Sequence, residues 1–291
     1  MSGHDAEMNP YHRFVSEQAR LIEEAKSYPL GQFEPAPKPG LEANAPRALF
    51  FAPHPDDECI TGGLAVRLLR QGRMNVLDVA VTLGSNEQRR PGRLEELHNA
   101  CRYLGFGLVL PAPKGLERIS LKTREQDRAH WDACVKVVAG ILDANRPQLV
   151  MCPHEQDWNG THIGTHFLVM DALLRMPAEF ECMVAETEFW GQMTDPNLMV
   201  EMSAADLGDM VAATTFHIGE VARNPYHLLL PAWMMDNVRR GSELVGGQGG
   251  KAPEFTFAAL YRLRKWSRGR LERTFAGGKF LACAEDVGSL L

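Results

Sequence analysis

Four polar residues that could bind a metal or transfer a proton follow directly on one short apolar run. The run, residues 49–52, is typical of a strand buried on both faces, and Pro53 and Pro55 prevent the strand from continuing. The polar residues are His54, Asp56, Asp57 and Glu58. In an open α/β sheet, ligands bind in the crevice outside the carboxyl ends of the strands. A helix-capping Asp beside a surface His would account for only one of the four residues, so a functional site is favoured.

A second polar stretch follows another apolar run, residues 148–152, and carries three histidines. They are His154, His162 and His166. We expect them at the same edge of the sheet as His54 and Asp57, because the carboxyl ends of parallel strands meet there. His162 and His166 are four residues apart and share one face if both are helical. Two histidines and one carboxylate form a common metal set in catalytic zinc sites and in non-haem iron sites.

The segments between these stretches alternate between strand-like and helix-like patterns. We predict strands near residues 49–52, 75–82, 107–110 and 148–152, and helices near residues 64–69, 93–104, 123–144 and 167–175. Such alternation implies right-handed crossovers and a parallel sheet. Beyond residue 179 the pattern loosens, and residues 225–250, rich in Pro and Gly, are expected to be irregular. The predicted fold class is therefore α/β: a Rossmann-like, mostly parallel sheet flanked by helices, with an N-terminal helical arm and an irregular C-terminal extension.

Three parts of the chain can be distinguished by their patterns. Residues 1–45 are expected to form a helical arm, with an amphipathic helix over residues 10–28, and a Pro-rich linker. Residues 46–217 form the predicted core, and residues 218–291 a C-terminal extension that completes the site. An arm of this sort either packs across its own domain or clasps a neighbouring subunit, which would make the protein a homo-oligomer.

The composition is that of an ordinary globular protein, with 291 residues, 45% hydrophobic and 23% charged. A formal net charge of −6 argues against nucleic-acid binding. No apolar run approaches the roughly 20 residues that span a bilayer, and the first residues do not resemble a secretory signal. The six cysteines include no Cys-x-x-Cys pair and are interpreted as buried thiols. We predict a cytoplasmic protein.

One family resemblance bears on these residues. The segment Ala52-Pro-His-Pro-Asp-Asp-Glu58, followed by Gly62-Gly63 and by Arg93 and Glu96 ahead of Leu104-Gly105, resembles the PIG-L/LmbE-like family of metal-dependent N-acetylglucosamine deacetylases. The resemblance covers roughly residues 49–176. It implies that His54 and Asp57 bind zinc, with Fe²⁺ as the alternative, and that Asp56 is the general base. It also implies that His162 is the third ligand, because Asn159-Gly-Thr-His162 occupies the place of the family's His-Pro-Asp-His string.

The chain departs from the family pattern within that string. Asn159 stands where the family has a His, and Thr161 where it has an Asp. Asn159 can donate a hydrogen bond to an oxyanion, but it cannot transfer a proton. The histidines available as the proton donor are His154, His166 and His227, and each is equally explained as a structural histidine.

Substrate contacts are expected from two further residues, Arg93 and His166. Arg93 matches a family position close to the substrate, although Arg93 and Glu96 could equally form an ion pair at a helix start. We assign Asp56, Asn159 and His227 to the catalytic machinery.

The resemblance implies a hydrolase that removes an acetyl group from the amide nitrogen of an N-acetylglucosamine-type sugar or glycoconjugate, a small-molecule substrate. Two alternatives stay open. One is a catalytically altered sugar- or metal-binding member of the family, suggested by Asn159. The other is a two-His-one-carboxylate iron enzyme, which would be expected on a β-barrel. A nucleotide-binding Rossmann protein is disfavoured, because the first strand leads into His-Pro-Asp-Asp and not into a Gly-x-Gly-x-x-Gly turn.

Overall fold

A computed structural model describes residues 9–35 and 37–291. The strands of these residues are β1 (Arg47–Ala52), β2 (Asn75–Ala80), β3 (Gly107–Val109), β4 (Leu149–Pro153), β5 (Cys182–Thr187), β6 (Leu198–Glu201), β7 (Ala258–Ser267), β8 (Arg270–Arg273) and β9 (Lys279–Leu281). The strands form one sheet in the order β3-β2-β1-β4-β5-β7-β6-β9, and β8 pairs with β7. The first five strands in this order are parallel, as in a Rossmann-like fold. The predicted fold class, α/β with a mostly parallel sheet flanked by helices, is confirmed.

Helices cover both faces of the sheet. They are α1 (Pro10–Ala25), α2 (Asp57–Ile60), α3 (Gly63–Arg70), α4 (Arg90–Leu104), α5 (Leu121–Gln126), α6 (Arg128–Asn145), α7 (Gly160–Leu173), α8 (Ala204–Thr214), α9 (Ile218–Val221) and α10 (Tyr226–Leu244). A short 3-10 helix, Val287–Leu290, ends the chain. Successive residues of β1 point to opposite faces, so that Phe50 packs with α3, α4 and α8 while Phe51 packs with α6 and α7.

The central pair of strands positions the polar stretches that follow them. β1 and β4 are parallel neighbours with Phe50 opposite Met151, so their carboxyl ends lie side by side. β4 is buried along its whole length, and β1 from its second residue onward. Such continuous burial explains the unbroken apolar runs in the sequence. The loop after β1 and the loop after β4 consequently meet at one edge of the sheet.

The C-terminal part is more regular than the sequence pattern indicates. The 19-residue helix α10 occupies most of residues 225–250, which were expected to be irregular. Pro231 lies inside α10, where it removes one backbone hydrogen bond. Gly241 marks close packing and not a break, since a Cβ at this position would lie 2.5 Å from the Met199 side chain of β6. Strand β7 pairs with both β5 and β6, so residues after 217 share the sheet of the core.

The N-terminal arm contains the expected amphipathic helix, α1, and none of the helix's residues is buried. Further along the arm, the Gly31 amide donates to Thr215 Oγ1 at 2.9 Å, and the Phe33 ring packs edge-on against Phe216. An apolar groove of about 630 Å³ separates α1 from α8 and α10. Within residues 9–35 and 37–291, no helix is long and apolar enough to cross a bilayer.

Candidate metal site and active-site cleft

The turn after β1 is held in a strained backbone conformation. Asp56 has a φ of 118°, which non-glycine residues rarely adopt and which costs on the order of 1–3 kcal/mol. Side chains of the turn bind its own backbone: the His54 amide donates to Asp57 Oδ2 at 2.8 Å, and the Asp56 amide donates to Glu58 Oε2 at 2.9 Å. The acidic residues of the motif therefore fix the geometry of the turn that carries them.

Three of the sequence-predicted site residues lie together at the edge where the two loops meet. They are His54, Asp57 and His162, each with one ligand atom within 4.8 Å of the others. Asp57 Oδ2 lies 3.6 Å from His54 Nδ1 and 3.4 Å from His162 Nε2. Donor atoms around a tetrahedral metal with bonds of about 2.0–2.1 Å lie about 3.4 Å apart, so the three residues fit such an ion.

The hydrogen bonding of these atoms also fits a metal. Among the described residues, Asp57 Oδ1 and both ring nitrogens of His162 are buried without a hydrogen-bond partner. A buried polar atom without a partner is costly, and coordination would satisfy it. Although burial opposes it, the neighbouring His162 and His54 rings lower the pKa of Asp57, which favours the ionised form that binds metals.

Asp157, which the sequence analysis did not single out, faces the other side of the His162 ring. Its Oδ2 lies 3.6 Å from His162 Nδ1. Burial lowers the pKa of an imidazole, but the carboxylates of Asp57 and Asp157 raise the pKa of His162 above its ordinary value. A carboxylate behind a metal-binding histidine fixes the orientation of the ring. No sequence signal distinguishes Asp157 from the other polar residues of its loop.

Asp56 is buried beside this group of ligands. Burial and the adjacent Asp57 charge raise the pKa of Asp56 well above its ordinary value, and Arg93 opposes the shift. Arg93 Nη2 lies 3.8 Å from Asp56 Oδ1 and donates to the Pro55 carbonyl at 2.8 Å. Arg93 Nε lies 3.6 Å from Glu220 Oε1. The partners of Arg93 are thus the turn and α9, and the predicted pair with Glu96 does not form among the described residues; Glu96 instead accepts from the Gly219 amide.

An open cleft of about 900 Å³ begins at the metal-site candidate. Its lining includes His54 on one side, Thr82 and Gly84 after β2, and Asn159 and Thr161 at the start of α7. Asn159 is the N-cap of α7, where its Oδ1 accepts from the amides of Thr161 at 2.8 Å and His162 at 3.4 Å. The oxygen of Asn159 is therefore used by the helix, and the Nδ2 amide remains as a hydrogen-bond donor.

The other predicted site histidines lie away from this cleft. His166 is buried, donates from Nδ1 to the Pro153 carbonyl at 3.0 Å, and lies 3.5 Å from Glu186. His154 is buried and donates from Nε2 to the Gly191 carbonyl at 2.8 Å. His227 lines the apolar groove next to α1. These positions suit structural roles, and neither a substrate contact of His166 nor an acid role of His227 follows from them.

The neighbour of His227 faces the site instead. The Tyr226 ring packs edge-on against Phe189 at a centroid distance of 5.6 Å, and Phe189 lies 5.7 Å from the His162 ring. Burial and the carboxylates of Asp56 and Glu220 raise the pKa of Tyr226. Tyr226 could not be singled out from the sequence, because without the helix α10 the faces of this segment could not be assigned.

The protein is an α/β protein with a candidate metal site of two histidines and one aspartate at the carboxyl ends of adjacent parallel strands. A family model described as "PIG-L: GlcNAc-PI de-N-acetylase" matches residues 49–173. This match confirms the resemblance to the PIG-L/LmbE-like family. None of the curated proteins compared with the chain matches it.

Solved structures share the fold at low sequence identity. N,N'-diacetylchitobiose deacetylase from Pyrococcus horikoshii is 15% identical, with a TM-score of 0.54 over 88% of this chain and 93% of that one. The zinc-inhibited form of a teicoplanin deacetylase is 14% identical, with a TM-score of 0.52 over 76% of this chain and 98% of that one. GalB, the 4-carboxy-2-hydroxymuconate hydratase of Pseudomonas putida KT2440, is 15% identical, with a TM-score of 0.55 over 79% and 100%. Because a hydratase shares the fold, the fold alone does not fix the reaction.

Proposed function

We propose that the protein is a metal-dependent hydrolase that removes an acetyl or other acyl group from the amide nitrogen of an N-acetylglucosamine-type sugar or glycoconjugate. The observation that carries the proposal is the group His54, Asp57 and His162, next to Asp56 and at the mouth of a cleft of about 900 Å³. Within this group, Asp57 Oδ1 and both ring nitrogens of His162 are buried without a hydrogen-bond partner. The family model that matches residues 49–173 describes a de-N-acetylase and supports the same reaction.

We propose zinc as the resident metal, with Fe²⁺ as the alternative, held by His54, Asp57 and His162. Such an ion would lower the pKa of a bound water and polarise an amide carbonyl. Two histidines and one carboxylate would leave coordination positions open for water and for the amide carbonyl of the substrate. The position of Asp157 behind His162 suits the fixed ring orientation that this ligand set requires.

Asp56 is proposed as the general base. It accepts a proton from the attacking water, a bond forms between the water oxygen and the acyl carbon, and the carbon–nitrogen bond then breaks as the amine nitrogen receives a proton. Because His227 lies in the groove beside α1, we assign the return of the proton to Asp56 itself. The Asn159 Nδ2 amide is proposed as a donor to the developing oxyanion. Arg93 holds the turn and Asp56 in place and is a positioning residue.

Asn159 also supports the second candidate, a binding-only member of the family, because the family's proton-donating histidine is absent at this position. The iron-oxygenase alternative predicted a β-barrel, whereas the observed sheet is open and mostly parallel. We therefore keep deacetylation as the primary proposal and binding without turnover as its competitor.

The test is acetate release from a panel of N-acetylated amino sugars and their conjugates, measured with enzyme stripped of metal and then reloaded with zinc or Fe²⁺. We expect release that depends on the metal and disappears in His162→Ala. Absence of release from every substrate, with one metal bound per chain, would reject the deacetylase and support the binding-only candidate.

We further propose that the protein forms a homo-oligomer through the N-terminal arm. The apolar side of α1 is unusually exposed, with Tyr11 at 75% and Phe14 at 57% exposure. Patches of this kind mark contact surfaces. Sedimentation of the full chain should give a dimer or larger species, and Phe14→Glu should shift it to the monomer. A monomeric wild-type protein at micromolar concentration would reject this proposal.

A further inference from the structure

Near the metal-site candidate, on the side of Phe189, lies a second surface depression of about 590 Å³ that none of the roles above uses. Its lining consists of Trp158, Phe189, Trp190, Gln192, Trp233 and Asp236. We call the four aromatic residues of this set the aromatic platform. Trp158 is 82% exposed and Trp190 is 43% exposed. The tryptophan side chain is large and mostly apolar, and its exposure to water is unfavourable. Several exposed tryptophans close together therefore indicate a binding surface.

The aromatic platform packs against the metal site. The Phe189 ring lies 5.7 Å from the His162 ring. Phe189 also lies 5.1 Å from Trp190 and is stacked on Trp233 at 5.6 Å with an interplanar angle of 16°. Phe189 thus contacts His162 of the metal site on one side and Trp190 and Trp233 of the platform on the other. A molecule whose amide reacts at the metal site could therefore extend directly over the platform.

The two loops that carry Trp158 and Trp190 are held together by hydrogen bonds. Asp157 connects them, because its Oδ1 accepts from the Asn159 amide at 2.8 Å and its Oδ2 accepts from the Trp190 amide at 3.2 Å. Gly191 allows the loops to touch: a Cβ at this position would lie 2.9 Å from the carbonyl oxygen of Gln156. The Gly191 carbonyl also accepts the hydrogen bond from His154. The exposed rings are consequently positioned before a ligand arrives, which lowers the entropy cost of binding.

We propose that the aromatic platform is a second saccharide subsite, which binds a pyranose ring that the substrate carries beyond the ring bearing the amide. The inference rests on the proposed function and specifies a disaccharide or larger glycoside as its substrate. A pyranose presents an apolar C–H face to aromatic rings and hydroxyl groups at its edge. The Gln192 amide and the Asp236 carboxylate lie at the rim to bind such hydroxyls.

The charge of the rim disfavours an anionic group as the occupant. Asp236 is the one charged residue in the lining, and it is paired with Arg239, whose Nε donates to Asp236 Oδ1 at 2.7 Å. The rim is therefore close to neutral, and it offers polar groups that a plain hydrocarbon chain could not use. A sugar ring matches both the apolar rings and the polar rim.

The experiment compares KM and kcat for N-acetylglucosamine and for its β1,4-linked disaccharide, using zinc-loaded wild-type enzyme, Trp158→Ala and Trp158→Phe. We expect Trp158→Ala to raise the KM for the disaccharide about 3- to 10-fold and to change the monosaccharide KM less than 2-fold, with Trp158→Phe retaining part of the preference. Leu174→Ala, which removes an exposed apolar side chain at the C-terminal end of α7, is the control and should change neither. An equal effect of Trp158→Ala on both substrates would overturn the subsite.

A binding measurement separates failure of the subsite from failure of the proposed function. Tryptophan emission is titrated with the fully deacetylated disaccharide, which cannot be hydrolysed further at an amide. A change that is lost in Trp158→Ala supports the subsite even if no substrate is turned over. The saccharide assignment would be overturned if Trp158→Ala weakened the binding of a phenyl or octyl glycoside more than it weakened the binding of the disaccharide. The platform would then recognise an aromatic or aliphatic aglycone.

Discussion

His217 Nε2 lies 2.7 Å from Glu58 Oε1, and both side chains are completely buried. Although burial opposes it, His217 lowers the pKa of Glu58, so the carboxylate is ionised and His217 donates to it. The other oxygen of Glu58 accepts from the amide of Asp56, the residue with the strained backbone. Residues at the start of α9 therefore support the conformation of the turn after β1.

The first prediction concerns this pair. His217→Ala should lower the free energy of unfolding by about 3–5 kcal/mol, because it leaves the Glu58 charge buried without its partner. It should also lower kcat more than it weakens metal binding, since Asp56 loses its support. Urea denaturation, metal content and steady-state kinetics measure the three effects. Arg20→Ala, which removes the exposed ion pairs with Glu17 and Glu24 on α1, is the control and should cost less than about 1 kcal/mol. Unchanged stability in His217→Ala would contradict the pairing.

The second prediction separates the general base from the ligands. Asp56→Ala should retain most of its bound zinc and lose about 100- to 10,000-fold in kcat, the range typical of general acid–base catalysis. His162→Ala should lose both the metal and the activity, because it removes one of three ligands. Metal analysis after gel filtration and acetate-release rates distinguish the two variants. Nearly full activity in Asp56→Ala would show that another group takes the proton.

Asp157 is the subject of the third prediction. Asp157→Asn should weaken zinc binding about 10- to 100-fold, because the His162 ring loses the carboxylate that faces its Nδ1. Competition with a chelator measures the affinity. The control is Asp171→Asn on the far side of α7, whose carboxylate binds Arg124 and the Trp131 indole. If both variants bound zinc equally well, Asp157 would have no part in the metal site.

These residues also show which parts of the site could be predicted from the sequence. The group of His54, Asp57 and His162 could be predicted because each lies close to the end of an apolar run, and the order of parallel strands brings such ends together. The pairing of Glu58 with His217 could not be predicted, because the two residues are 159 positions apart and only the packing of α9 brings them together.

The secondary structure after α9 could not be predicted from the sequence either. Pro231 and the glycines of this segment suggested a loop, whereas Gly241 serves the close packing of α10 on the sheet. The aromatic platform depends on the same helix, since Trp233 comes from α10 and Trp158 from the loop after β4. Local pattern predicts where a strand ends, but not which distant helix covers that end.

The fourth prediction is a pH dependence of stability away from the metal site. Although burial opposes it, the Arg262 guanidinium lowers the pKa of Glu155 from 4.5 to about 2. A group whose pKa is lower in the folded state stabilises the fold above its unfolded-state pKa, and this contribution disappears as the pH falls. The stability difference between wild type and Glu155→Gln should therefore be full near pH 6 and shrink between about pH 4.5 and pH 2.

Urea denaturation at several pH values tests this expectation. Gln156→Ala, a change at the exposed neighbouring residue, should show the same difference from wild type at each pH because it removes no ionisable group. A difference for Glu155→Gln that stays constant down to pH 3 would mean that the ion pair with Arg262 does not contribute in solution.

The last prediction addresses Asn159, which caps α7 and lines the cleft. Asn159→Ala should cost about 0.5–2 kcal/mol in the free energy of unfolding, because the amides of Thr161 and His162 lose their acceptor. Asn159→Asp keeps the cap but replaces the Nδ2 donor with a second acceptor, so it should retain stability and lose activity. Asn159→His restores a side chain that can transfer a proton. If Asn159→Asp were as active as the wild type, Asn159 would act only as the helix cap, and the oxyanion would need another donor, for which Tyr226, packed against Phe189, is a candidate.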